Sequence, residues 1–115
     1  MLRGEIRLVD FCPALPGESA RQRPAVIVSN DGANTSAARL GRGVITVAPM
    51  TTNTSRVYPF QVLVPAGESG LEYDSKVQAE QIRGVSVDRV QGVLGSIPPP
   101  LMLEVDEALR LHLAL

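Results

Sequence analysis

Apolar residues fall along this chain in short bursts separated by polar, glycine- and proline-rich punctuation. Ile6, Leu8, Val9 and Phe11 alternate partly and predict a first strand over residues 5–11. Pro13, Pro16, Gly17 and Ser19 mark residues 12–22 as turn and loop. The run Ala25-Val26-Ile27-Val28-Ser29 does not alternate, which predicts a short strand buried on both faces. Asn30-Asp31-Gly32 predicts a turn, and residues 34–40 a short helix with Asn34 or Thr35 near its cap. Residues 43–50 predict a third strand, where Pro49 marks the end of pairing or an edge.

Residues 51–56 are uniformly polar and predict a loop, 60–64 a fourth strand and 65–70 a turn. Over residues 75–82, Val77, Ala79 and Gln81 share one face and Lys76, Gln78 and Glu80 the other, a half-buried fifth strand. One helical turn at 88–91 and a short strand at 93–97 follow. Pro98-Pro99-Pro100 then stops the sheet and opens a helix over 101–113. On that helix Leu101, Met102, Val105, Ala108, Leu109 and Leu113 form one wide face, while Leu103, Leu111 and Ala114 lie roughly opposite. A helix apolar on two sides needs two covers: its own sheet and a second copy of the chain. The expected fold is mainly β (α+β), a small bent sheet or barrel with a short internal helix and a C-terminal α-helix.

At 115 residues the chain is expected to form one domain spanning residues 1–115. A 44% hydrophobic share without Trp leaves Val, Leu, Ile and Ala to fill the core. Cys12, the one cysteine, excludes an intrachain disulfide and fits a reducing compartment. With no signal-like or membrane-length apolar stretch, the expected location is cytoplasmic. The net charge of −1 argues against a general nucleic-acid coat. Its distribution changes that picture: residues 1–56 carry +3 and residues 57–115 carry −4, so a local basic groove is compatible with the total.

Arg23-Pro24 at the mouth of the second strand carries the clearest chemistry. Proline fixes the backbone where loop becomes strand, and a guanidinium held there suits a phosphate oxygen. No metal site is expected: His112 has no Cys or His at ligand spacing and falls on the apolar helix face as a packed imidazole. Cys12 has no natural general base beside it and reads as a loop thiol. Neither a Ser/His/Asp arrangement nor a phosphate-cradling glycine loop is present.

Arg3-Gly4-Glu5-Ile6, Val9-Asp10-Phe11, Gly17-Glu18, Arg23-Pro24 with its apolar run to Asp31, Val47-Ala48-Pro49-Met50-Thr51, Glu80-Gln81-Ile82-Arg83 and Gly95-Ser96-Ile97 occur in this order. That succession resembles the MazF/PemK family of toxin endoribonucleases of bacterial toxin–antitoxin modules, from about residue 3 to 113. The resemblance implies an SH3-like or CcdB-like barrel, a homodimer, and sequence-specific cleavage of single-stranded RNA without a metal or other cofactor. It also implies neutralisation by a MazE-like antitoxin. It places the family's active-site arginine on Arg23 and its hydroxyl on Thr51, with Thr52 or Ser55 as substitutes if the loop register differs. The implied RNA-binding set is Glu18, Pro24, Thr52, Ser55, Arg56, Glu80 and Gln81.

RNA supplies its own nucleophile, the 2′-OH, so Arg23 would serve to neutralise charge on the phosphorane and as acid only at the 5′-oxygen. Products would be a 2′,3′-cyclic phosphate, or the 3′-phosphate after its hydrolysis, and a 5′-OH end. Specificity would come from residues 13–22, 51–58 and Glu80-Gln81, although Gln81 equally suits the inner face of the barrel. Phe11, Tyr58, Phe60 and Tyr73 are the only aromatics, which favours a short pocketed site over long stacked RNA. One rival keeps the fold and changes the activity: a CcdB-like gyrase poison without catalysis. A second, a peptide-binding SH3-like adaptor, lacks the aromatic lining such a groove needs.

Overall fold

The computed structural model describes residues 1–11 and 22–115. Seven strands, β1 (Glu5–Asp10), β2 (Gln22–Ile27), β3 (Val44–Thr51), β4 (Gln61–Val64), β5 (Ser75–Gln78), β6 (Arg83–Ser86) and β7 (Val90–Ser96), form one antiparallel sheet. Its order is β4-β5-β3-β2-β1-β7, with β6 also pairing β3. Three α-helices, α1 (Asp31–Leu40), α2 (Ala66–Ser69) and α3 (Pro99–Leu113), and two 3-10 turns, Ala79–Gln81 and Val87–Arg89, complete the described residues.

The unbroken apolar run of β2 is explained by apolar clusters on both of its faces. Ala25 and Ile27 join Ala37, Ile45, Val47 and Val85 in one; Val26 and Val28 join Ile6, Val64, Val77 and Val105 in the other. Helix α1 packs on the first side through Ala37, and α3 on the second through Val105 and Ala108. Each fully buried Val or Ile contributes about 1.5–3 kcal/mol relative to exposure, so this central strand anchors everything attached to it.

Helix α1 starts a turn earlier than expected. Asn30, not Asn34 or Thr35, is its cap, its side chain accepting from the Ala33 N–H at 2.8 Å. Asn34 is buried inside the helix, donating from Nδ2 to the Ser29 carbonyl at 2.9 Å.

The expected fifth strand over 75–82 is broken. β5 pairs Val77 with Met50, β6 pairs Arg83 with Val47, and a 3-10 turn at Ala79–Gln81 absorbs the surplus residues between them. Pro49 falls in this interval of β3 and has no N–H to offer a ladder.

α3 begins at Pro99, two residues earlier than expected, because proline is tolerated in a first helical turn. Leu101, Met102 and Leu109 pack beside Val105 and Ala108, as the wheel predicts. Leu113 and His112 are exposed, which corrects both as packed residues; the last turn projects past the covered part of the helix. Leu103 and Leu111 lie bare on the outer face.

The outer strands of the sheet, β4 and β7, approach through the turn at Ser69-Gly70, whose backbone rests directly on Gly95. No helix among the described residues is long and apolar enough to cross a membrane.

Candidate active site

The β2–β3 ladder pairs Ile27 with Val47, Val26 with Ala48 and Ala25 with Pro49, and then stops. The next residue of β2 is Pro24, which the same register sets opposite Met50. Having no N–H, Pro24 cannot continue the ladder. The Met50 carbonyl accepts instead from Nη2 of Arg23, at 3.1 Å. Pro24 thus ends the pairing and leaves a carbonyl that fixes the neighbouring guanidinium. Gln78 on β5 holds the same nitrogen, its Oε1 accepting at 2.7 Å. Both partners are neutral, so neither cancels the cation. Arg3 and Arg7, by contrast, are ion-paired with Asp106 at 2.6 Å and Glu5 at 3.0 Å.

Carried one residue further, the register places Arg23 opposite Thr51, the last residue of β3. Both line a pocket of about 210 Å³ with Pro24, Met50, Thr52 and Ser75. Thr51 Oγ1 accepts from the Asn53 N–H at 3.2 Å, which leaves its hydroxyl proton to be donated. Across β3, Thr51 pairs with Lys76 of β5. Directly opposed residues present their side chains to one face, so the stems of Arg23 and Lys76 stand on either side of the threonine. Lys76 is buried, its Nζ donating to the Arg56 carbonyl at 2.6 Å, which ties the loop after β3 down onto the sheet.

The rest of the expected set is dispersed around this pocket. Ser55 is exposed on the loop, its hydroxyl donating to Asn53 Oδ1 at 2.8 Å. Arg56 is exposed too, donating to the Tyr58 hydroxyl at 3.1 Å and lying over that ring, which stacks on Phe60. Glu80 turns away to Gln61, accepting from its Nε2 at 2.6 Å, and the other carboxylate oxygen is buried without a partner. Gln81 is exposed on the 3-10 turn and not in line with Val77 and Ala79 on an inner face. Glu18, Cys12 and most of the 13–22 loop lie outside the described residues.

The pocket has three contributors outside that expected set: Gln78, Lys76 and Ser75. The signal for two of them was present, since the alternation of 75–82 set Lys76 and Gln78 on one face. That this face lies against Thr51 and Arg23 is decided by strand pairing, which no local pattern records.

Residues 2–113 match the profile of a family described as PemK-like, MazF-like toxin of type II toxin–antitoxin system. The chain is 54% identical over 115 residues to endoribonuclease MazF9 of Mycobacterium tuberculosis, covering all of this chain and 98% of that protein. It is 30% identical over 113 residues to endoribonuclease EndoA of Bacillus subtilis, covering 98% and 94%. Among solved structures it resembles an endoribonuclease in complex with its cognate antitoxin from a mycobacterial species, with a TM-score of 0.76 at 27% identity over 100% and 96% of the two chains. It also resembles a MazE–MazF complex from Deinococcus radiodurans, with a TM-score of 0.79 at 25% identity over 100% and 96%.

Proposed function

The chain belongs to the PemK-like, MazF-like toxin family of type II toxin–antitoxin systems, and from that premise we propose that it is an endoribonuclease toxin. It cleaves single-stranded RNA at a short sequence, in the cytoplasm, until a MazE-like antitoxin neutralises it. The observation that carries this reading is the shared pocket of Arg23 and Thr51, with the guanidinium held by two neutral oxygens.

The substrate brings its own nucleophile. A ribose 2′-oxygen bonds to the adjacent phosphorus as the bond to the 5′-oxygen breaks. The 2′-proton leaves, and the departing oxygen takes one up. The ends formed are a 2′,3′-cyclic phosphate, or the 3′-phosphate after its hydrolysis, and a 5′-OH. Negative charge grows on the nonbridging oxygens during this step, and Arg23 meets it with N–H donors already oriented. A guanidinium keeps its proton at any ordinary pH, so Arg23 serves as stabiliser and as donor toward the leaving 5′-oxygen. Thr51 donates its hydroxyl to the same phosphate. Pro24 and Thr52 form the wall along which the strand lies, and Ser55, Arg56, Gln81 and Glu18 bear on RNA beyond the cut, while Glu80, turned to Gln61, supports the turn that carries Gln81.

The chemistry requires charge neutralisation, which Arg23 supplies, so cleavage proceeds with EDTA present. The bare outer face of α3, with Leu103 and Leu111, fits the expected homodimer. The test is purified protein with mixed-sequence RNA in EDTA. Fragments with 5′-OH ends support the reading. Intact RNA, with DNA gyrase inhibited instead, overturns it in favour of the gyrase-poison rival.

A further inference from the structure

Beyond Pro24 the Arg23 pocket borders a second cavity of about 250 Å³. Pro24, Thr52 and Ser75 form a wall common to both. Leu71, Tyr73 and Leu94 supply apolar surface on the far side, and the one charged group is Glu72. No Lys or Arg is among the described residues lining it, so the cavity is ill-suited to a second phosphate. Apolar walls, the hydroxyls of Thr52, Ser75 and Tyr73 and a single carboxylate suit a nucleobase.

We infer that this cavity holds the base of a nucleotide adjoining the cleaved phosphate, an inference that rests on the ribonuclease reading above. Continuity with the Arg23 pocket is the geometric ground: a phosphate held at Arg23 leaves its attached nucleoside facing the common wall. Tyr73 is 63% exposed and Leu94 40%, so an aromatic face and an aliphatic edge stand uncovered beside that wall. Stacking on such surfaces tolerates any base. Selection then falls to Glu72, which as a carboxylate can only accept. It takes an N–H from the exocyclic amine of adenine, cytosine or guanine, whereas uracil offers only its N3–H, set between two carbonyl oxygens that the carboxylate repels. The cleavage sequence therefore carries an amino-bearing base at one position flanking the cut.

The test compares wild type, Tyr73→Ala and Glu72→Gln on a cleavable RNA and on the same RNA made abasic at each flanking position in turn. At one position, base removal lowers wild-type kcat/KM about tenfold, within the range of a single base–aromatic stack. Tyr73→Ala lowers it similarly on intact RNA and adds nothing on the abasic RNA. End-sequencing of a digested mixed RNA shows Glu72→Gln admitting uracil at that position. Losses that multiply, or an abasic RNA cut as well as the intact one, overturn the inference while leaving the nuclease standing. So does a Tyr73→Ala change in sedimentation with kcat/KM unmoved, which makes the patch a contact between copies. Binding of adenosine 3′-monophosphate against ribose 5-phosphate, followed by NMR shifts, separates the two ideas. If RNA stays intact yet the adenine nucleotide binds at Tyr73, the cavity stands and the nuclease reading falls.

Discussion

Gln78 holds Arg23: its Oε1 accepts from Nη2 at 2.7 Å, on the same nitrogen that donates to the Met50 carbonyl at 3.1 Å. A neutral amide fixes the cation without cancelling it, which a carboxylate at that place would do. Arg23→Ala is expected to lower kcat by about 10²–10³, the cost of losing one oriented donor. Gln78→Leu leaves the guanidinium but frees one constraint, with an expected loss of about tenfold in kcat, since small misplacement of a catalytic group is costly. In the double variant, Gln78→Leu adds little to Arg23→Ala. Single-turnover rates with circular dichroism as a folding control decide this, and losses that multiply would show that Gln78 does not act through Arg23.

Lys76 tethers the loop after β3. Its buried Nζ has the Arg56 carbonyl at 2.6 Å, and its residue pairs across the sheet with Thr51. Lys76→Met keeps the aliphatic stem and removes the charge. Losing a charge-assisted hydrogen bond costs about 1.5–3 kcal/mol, but burying no ammonium returns a similar amount, so global stability should shift by less than about 1 kcal/mol. The loop responds instead: amide exchange at Arg56 to Tyr58 speeds up, and cleavage slows with it. Unchanged exchange there, measured by NMR, would mean the loop is held by other contacts.

The sequence made legible what periodicity and punctuation encode. β2 announces its two-sided burial because Ala25, Val26, Ile27 and Val28 never alternate with polar residues, and both faces are covered. Arg23 and Thr51 were legible through the family resemblance, and the register explains why they share a pocket. Hidden were features decided by pairing at a distance. The break at Ala79–Gln81 follows from β5 and β6 both adding to β3, which no local pattern records. His112 and Leu113 follow the helical wheel onto the apolar face, yet the wheel cannot tell where the covering sheet ends.

Gly95 allows the sheet to curl. A Cβ built there would overlap the Ser69 carbonyl oxygen, and backbone cannot move aside as a flexible side chain would. Gly95→Ala is expected to destabilise the fold by about 1–3 kcal/mol, the usual cost of overpacking. Gly92 lies on the same strand with nothing within 4 Å of an added Cβ, so Gly92→Ala is the control and should be neutral or mildly stabilising. Urea midpoints at constant slope measure both. Equal midpoints for the two variants would show that the β7 edge does not depend on close approach at Gly95.

Glu5 makes part of the stability pH-dependent. Burial works to raise its pKa, but the Leu2 N–H at 2.9 Å and the Arg7 guanidinium at 3.0 Å together hold it below its ordinary value of 4.5. A carboxyl whose pKa is lower folded than unfolded adds stability that is complete above the unfolded value and is lost as pH falls through the folded one. Glu5→Gln removes that contribution at every pH. The Tm difference between wild type and Glu5→Gln should therefore be constant from about pH 8 to pH 6 and corresponds to about 1 kcal/mol for a largely covered pair. It narrows below pH 4.5 and vanishes once Glu5 is protonated in both states. A gap that persists undiminished to pH 3 would show that the Glu5 side chain contributes by packing and not by its charge.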